Sequence, residues 1–133
     1  MGILSNGLAA DRPAVRDALR ALDRHMMKLD PGPMERVNGR CYDAERLVAA
    51  YRALKPYTIQ AMVTRGSDWD GSSRASVAAW LPLLACAEPE AVQLYSLDRP
   101  PADPGVQTVP RERLEEMARA VRKALPQCDV EVF

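Results

Sequence analysis

The chain has 133 residues, one domain's worth, enough to bury a core but too few for two ordinary ones. Eighteen basic residues balance eighteen acidic ones, so no global field draws in nucleic acid or an anionic membrane, and any charged ligand must be held locally. The longest apolar stretches, such as 77–81, fall far short of the ~20 residues that cross a bilayer, and the N-terminus has no basic region followed by a long apolar run.

Five short apolar-rich runs are expected as strands: Gly2 to Ser5, His25 to Leu29, Tyr57 to Thr64, Ala91 to Ser96 and Asp129 to Phe133. Segments long enough for a crossover helix separate them, which predicts parallel pairing and an α/β fold. Pro13 opens a first helix carrying Val15, Ala18, Leu19 and Leu22 inward, since proline's missing N–H has no partner in a first turn. Leu47, Val48, Tyr51 and Leu54 mark a second helix. A third runs from about Arg74 to Cys86, with Pro82 expected to kink it. The fourth is strongly amphipathic: Leu114, Met117, Ala118, Val121 and Leu125 recur at helical spacing, with Arg113, Glu116, Arg119, Arg122 and Lys123 on the solvated face. Strand plus helix recurs about every thirty residues, without sequence identity between units.

In parallel α/β folds, ligands bind beyond the carboxyl ends of the strands, where the following loops and helix N-termini share one crevice. Here the first strand exits through Ser5-Asn6-Gly7, the second through Lys28-Leu29-Asp30, the third through Thr64-Arg65-Gly66 and the fourth through Ser96-Leu97-Asp98-Arg99. Polar groups at four successive exits face water, pair with one another, or face a polar ligand. Arg65 and Arg99 have the fork that suits a carboxylate or phosphate, and equally the geometry to pair with Asp30 and Asp98. Pro100 and Pro101 deny the fourth strand further ladder bonds and hold its exit extended, keeping Asp98 and Arg99 at the rim.

Other chemistries fit less well. The single histidine, His25, starts its strand, at the end away from the rim, so it reads as structural and a Ser-His-Asp arrangement is not expected. Cys41, Cys86 and Cys128 lie more than forty residues apart, which excludes a closely spaced metal motif, leaves an odd number for disulfides and suits a reducing cytoplasm. Cys86, among apolar neighbours, is expected to pack. Asp68 and Asp70 lack the length and closing glutamate of an EF-hand. Trp69 beside them either covers an apolar ligand at the rim or packs under its loop.

Taken in order, Ser5-Asn6-Gly7, Met27-Lys28-Leu29-Asp30, Ile59-Gln60 through Thr64-Arg65-Gly66, and Tyr95-Ser96-Leu97-Asp98-Arg99-Pro100-Pro101 resemble the later part of radical S-adenosylmethionine proteins. The nearest subgroup in this respect is the one related to the wyosine-base-forming tRNA-modifying enzymes, and "SLDRPPADPG" is the most specific stretch. The resemblance implies a complete or partial (β/α) barrel, here a partial one of about five parallel strands and four helices. It also implies a 4Fe-4S cluster that binds S-adenosylmethionine and cleaves it to a carbon radical. The family's CxxxCxxC loop does not occur in these 133 residues, so the resemblance implies that its cysteine-bearing N-terminal portion is absent and that this chain cannot bind the cluster alone.

By the same resemblance Asn6, Lys28, Asp30, Gln60 and Arg65 are candidates for the adenosylmethionine cavity, and Ser96, Asp98 and Arg99 for substrate. No catalytic residue or metal ligand is assigned. If the strands lie in sequential order, right-handed crossovers put every helix on one face and leave an opposite, apolar face uncovered, to be closed by a second chain or copy. The alternative is a non-catalytic, flavodoxin-like module with helices on both faces. RNA binding is not expected, for want of a basic surplus or stacking aromatics.

Overall fold

The computed structural model describes residues 1–33 and 43–133. Its elements are β1 (Gly2–Ser5), α1 (Pro13–Arg20), β2 (Arg24–Lys28), α2 (Ala44–Arg52), β3 (Thr58–Met62), α3 (Arg74–Ala87), β4 (Ala91–Tyr95), α4 (Arg111–Ala124) and β5 (Asp129–Val132). All four pairings are parallel, and the strand order is β1-β2-β3-β4-β5. A flavodoxin-like sheet reverses its strand order at a switch point. This sheet has no reversal, so the doubly wound alternative gives way to the partial barrel.

Burial alternates along the strands with a period of two. His25, Met27, Ile59, Ala61, Val92, Leu94 and Val130 are buried, while the residues between them are half-buried or exposed. The register aligns Met27, Ile59, Val92 and Val130 in one row and Ala61, Leu94 and Val132 in the next. Against these rows pack Leu19 of α1, Leu47, Val48 and Tyr51 of α2, Val77, Trp80 and Leu84 of α3, and Leu114, Met117, Ala118 and Val121 of α4, all in one core cluster. The helices therefore clothe one face of the sheet, as repeated right-handed crossovers require.

The other face is uncovered, and it is not the apolar surface expected from the strand sequences. Its rows read Leu4, Met26, Thr58, Ala91, Asp129, then Lys28, Gln60, Gln93, Glu131, then Met62, Tyr95. Polar side chains occupy the middle of it because each strand alternates character. Only the helix-side residue of each pair must be apolar.

Local devices set the helix ends. Asp43 caps α2 through its Oδ1, which accepts from the N–H groups of Glu45 and Arg46, and Ser73 caps α3 by accepting from Ser76 N–H. Glu88, at φ 49°, closes α3 in the left-handed conformation. Pro82 does not end α3, which runs unbroken for fourteen residues. Pro82 is exposed, so its ring sits on the solvent side, where the loss of one ladder bond is compensated by water. His25 is structural as expected: buried on the helix side, its Nε2 lies 2.5 Å from Leu19 O and its Nδ1 3.4 Å from Pro56 O. No described helix is long and apolar enough to cross a membrane.

Candidate site on the uncovered sheet face

The strand exits are pinned by side chains arriving from the helices. Tyr51 Oη lies 2.9 Å from Asn6 O and 2.7 Å from Lys28 O, so one buried phenol on α2 ties the ends of β1 and β2 together. Its ring occupies the space a Cβ on Gly7 would need, 2.2 Å away, and Gly7 has φ 69°, so this turn requires glycine twice over. Trp80 on α3 donates its Nε1–H to Leu29 O at 2.9 Å. Arg113 on α4 donates from Nε and Nη2 to Ser72 O, at 2.9 and 2.5 Å, fixing the loop that follows β3.

Ser96 is a clamp between strand and loop. Its hydroxyl donates to Val63 O at 2.6 Å and accepts from Val109 N–H at 2.9 Å. Arg65 joins the same seam through its backbone, accepting from Gln107 N–H at 2.7 Å and donating to Gln107 O at 3.1 Å. The exits of β3 and β4 are thereby stitched to the segment that leads into α4.

Asp30 is the most perturbed carboxylate near the rim. It is 4 % exposed, its Oδ1 accepts from Met62 N–H at 2.7 Å, and its Oδ2 lies 3.3 Å from Lys28 Nζ. Burial pushes its pKa up, and the Lys28 ammonium and the Met62 amide pull part of that shift back. Lys28 and Asp30 thus satisfy each other at the end of β2.

A cavity of about 670 Å3 opens on the uncovered face, within the size range of small-molecule sites. Leu4 from one edge strand and Phe133 beyond the other both line it. A flat five-stranded sheet would hold its edges roughly 19 Å apart; sharing one cavity means the sheet curls around this face. Gln60, Gln93 and Tyr95 form its floor, and Asp98, Thr108 and Arg111 line it from the loops and α4.

Of the residues singled out in the sequence, the structure brings Gln60, Ser96 and Asp98 to this cavity. Lys28 stands beside Gln60 in the same row, paired with Asp30. Asn6, Arg65 and Arg99 do not line it: Asn6 Oδ1 accepts from Leu8 N–H in a local turn, and Arg99 is exposed. Trp69 packs its ring over Gly66, whose Cβ would come within 2.1 Å of it, which favours the packing role over a ligand cover. Sequence reasoning missed Gln93, Tyr95, Glu131 and Phe133. The signal was the alternation in Val92-Gln93-Leu94-Tyr95 and Val130-Glu131-Val132, which puts all four on one side.

No protein-family model matches the chain, and no curated protein matches it. A solved structure does: a radical SAM methyltransferase from Sphaerobacter thermophilus, at a TM-score of 0.69 and 19 % identity, over 98 % of this chain and 40 % of that one. The two share a fold. The chain thus spans well under half the length of the methyltransferase, and the α/β architecture with an all-parallel five-stranded sheet agrees with part of a barrel.

The cysteines do not gather. Cys86 is exposed rather than packed, Cys128 is half-buried at the amino end of the sheet, and Cys41 lies outside the described residues. Burial, with Asp129 nearby, pushes the Cys128 thiol up to about 11, the opposite of what a reactive or metal-binding thiolate needs. Among the described residues no three His, Cys, Asp or Glu side chains come together to hold a metal ion.

Proposed function

We propose that this chain is the carboxyl-terminal part of a radical S-adenosylmethionine enzyme, whose uncovered sheet face lines the cavity for S-adenosylmethionine and substrate. The single observation that carries this reading is the sequentially ordered parallel sheet curled around a polar, unclothed face, in a fold shared over 98 % of the chain with a radical SAM methyltransferase. Closed (β/α) barrels bury that face, and here it stays open around a cavity. Gln60, Ser96 and Asp98 line the cavity directly, and Lys28, paired with Asp30, stands next to Gln60 in the same row. Asn6, Arg65 and Arg99 belong to the strand exits and do not line it.

The described residues do not fit a 4Fe-4S cluster, because no three ligating side chains gather among them and burial raises the Cys128 thiol. The cluster ligands therefore belong to a partner polypeptide, or to a segment outside these 133 residues, that covers the open face. The "SLDRPPADPG" stretch favours the subgroup related to wyosine-base formation, with a cytoplasmic setting. Its zero formal charge gives no support for tRNA as the substrate.

Anaerobic reconstitution of this polypeptide with iron and sulfide tests the proposal together with an S-adenosylmethionine titration followed by NMR. The expected result is no stoichiometric cluster absorption, with S-adenosylmethionine shifting resonances of Gln60, Gln93 and Tyr95. A cluster held by this chain alone, or shifts confined to the helix-clad side, would overturn it.

A further inference from the structure

One row of the uncovered face forms a directed chain of hydrogen bonds. Gln60 Nε2 donates to Gln93 Oε1 at 2.9 Å, and Gln93 Nε2 donates to Glu131 Oε2 at 3.3 Å. An ionised carboxylate can only accept. Glu131 therefore turns the amino group of Gln93 toward β5 and its carbonyl toward β3, and that carbonyl orients Gln60 the same way round. The chain ends on Gln60 Oε1, an acceptor that no hydrogen bond among the described residues engages, on a side chain that lines the cavity.

The charges around it point the same way. Lys28, next in the row, is held by Asp30, and Arg111 on the cavity wall by Glu115 and the Val132 carbonyl. Asp98 and Glu131 form no ion pair among the described residues, so two acids stand by the row, with Arg24 and Arg99 as the exposed cations of the same side. Leu4, Tyr95, Leu97 and Phe133 give the cavity an apolar and aromatic wall.

We propose that this cavity selects a ligand bearing an amino or ammonium group on an apolar or aromatic body, with that group donating to Gln60 Oε1. Glu131 is the positioning residue: it does not touch the ligand but sets which end of Gln60 the ligand meets. The proposal rests on the preceding reading of this face as the ligand-facing side, and deepens it by naming the ligand class.

Two probes of equal size separate the possibilities, phenethylamine and 2-phenylethanol, each titrated into the intact chain and followed through the side-chain amide resonances of Gln60 and Gln93. A hydrogen bond involving a charged partner favours the amine by about tenfold or more. Gln60→Leu, which keeps the Glu131 charge, and Glu131→Gln, which lets the amide row reverse, each bring the two affinities within about threefold. Leu4→Ala weakens both probes alike and keeps the preference. Equal affinities in the unaltered chain, or a preference that survives both Gln60→Leu and Glu131→Gln, would overturn the ligand class while shifts at Tyr95 and Phe133 keep the cavity. If neither probe moves any lining resonance, the proposal falls and the cavity reading falls with it.

Discussion

Single side chains carry much of the order at the strand exits, and Asp30 shows the balance most clearly. Its carboxylate is almost wholly enclosed, yet it has Lys28 and a backbone N–H as partners. Burial dominates, so its folded pKa stands above the unfolded value of 3.8. The sign follows from linkage: the folded state holds this proton more tightly than the unfolded chain, so Asp30 favours folding below pH 3.8, and that contribution is lost as pH rises through the folded pKa. Asp30→Asn keeps an acceptor for Met62 N–H and removes the titration. Urea midpoints taken from pH 3 to 8 are therefore expected to show the unaltered chain losing stability relative to the variant as pH rises; parallel curves would refute the assignment. Tyr51 was legible only as a core residue, because helical periodicity reports which way a side chain faces and not which distant carbonyls its hydroxyl finds.

At the scale of elements, the sequence pattern located all five strands and all four described helices, with ends differing by a few residues. β1 matches its expected range, while β3 is shorter than the 57–64 run because Val63 and Thr64, though buried, already belong to the seam with the β4 exit. α3 continues through Pro82 to Ala87. In α3 the site is exposed, and the buried stripe of Val77, Trp80 and Leu84 holds the helix from the other side. Pro82→Ala restores an N–H that can reach the carbonyl of Ala78, and it removes the ring from a helix interior. It is expected to stabilise the protein by about 1–3 kcal/mol, read from thermal or denaturant unfolding. A neutral or destabilising result would mean that the ring packs favourably where the structure leaves it exposed.

Over the whole molecule, stability is graded from the middle of the sheet outward. Ile59 and Ala61 of β3 are fully buried, whereas no residue of β1 is, and Leu4 is 51 % exposed. Native-state hydrogen exchange is expected to show β3 and β4 amides opening only with global unfolding and β1 amides exchanging fastest among the strands. Equal protection across all five would contradict the graded picture. The architecture was readable because strand spacing and helix length dictate parallel pairing. The character of the uncovered face was not, since it depends on aligning the odd or even positions of five separate strands, and a register error of one residue inverts every assignment.

That division of labour between alternate positions has a practical reach. Because Met27, Ile59, Val92 and Val130 secure the folded chain from one side, the intervening positions 26, 58, 60, 93 and 131 can be varied with little disturbance to what keeps it folded, while Lys28 stays to pair the buried Asp30. A new specificity could be written onto this scaffold by changing every second letter of its strands, leaving the hidden text intact.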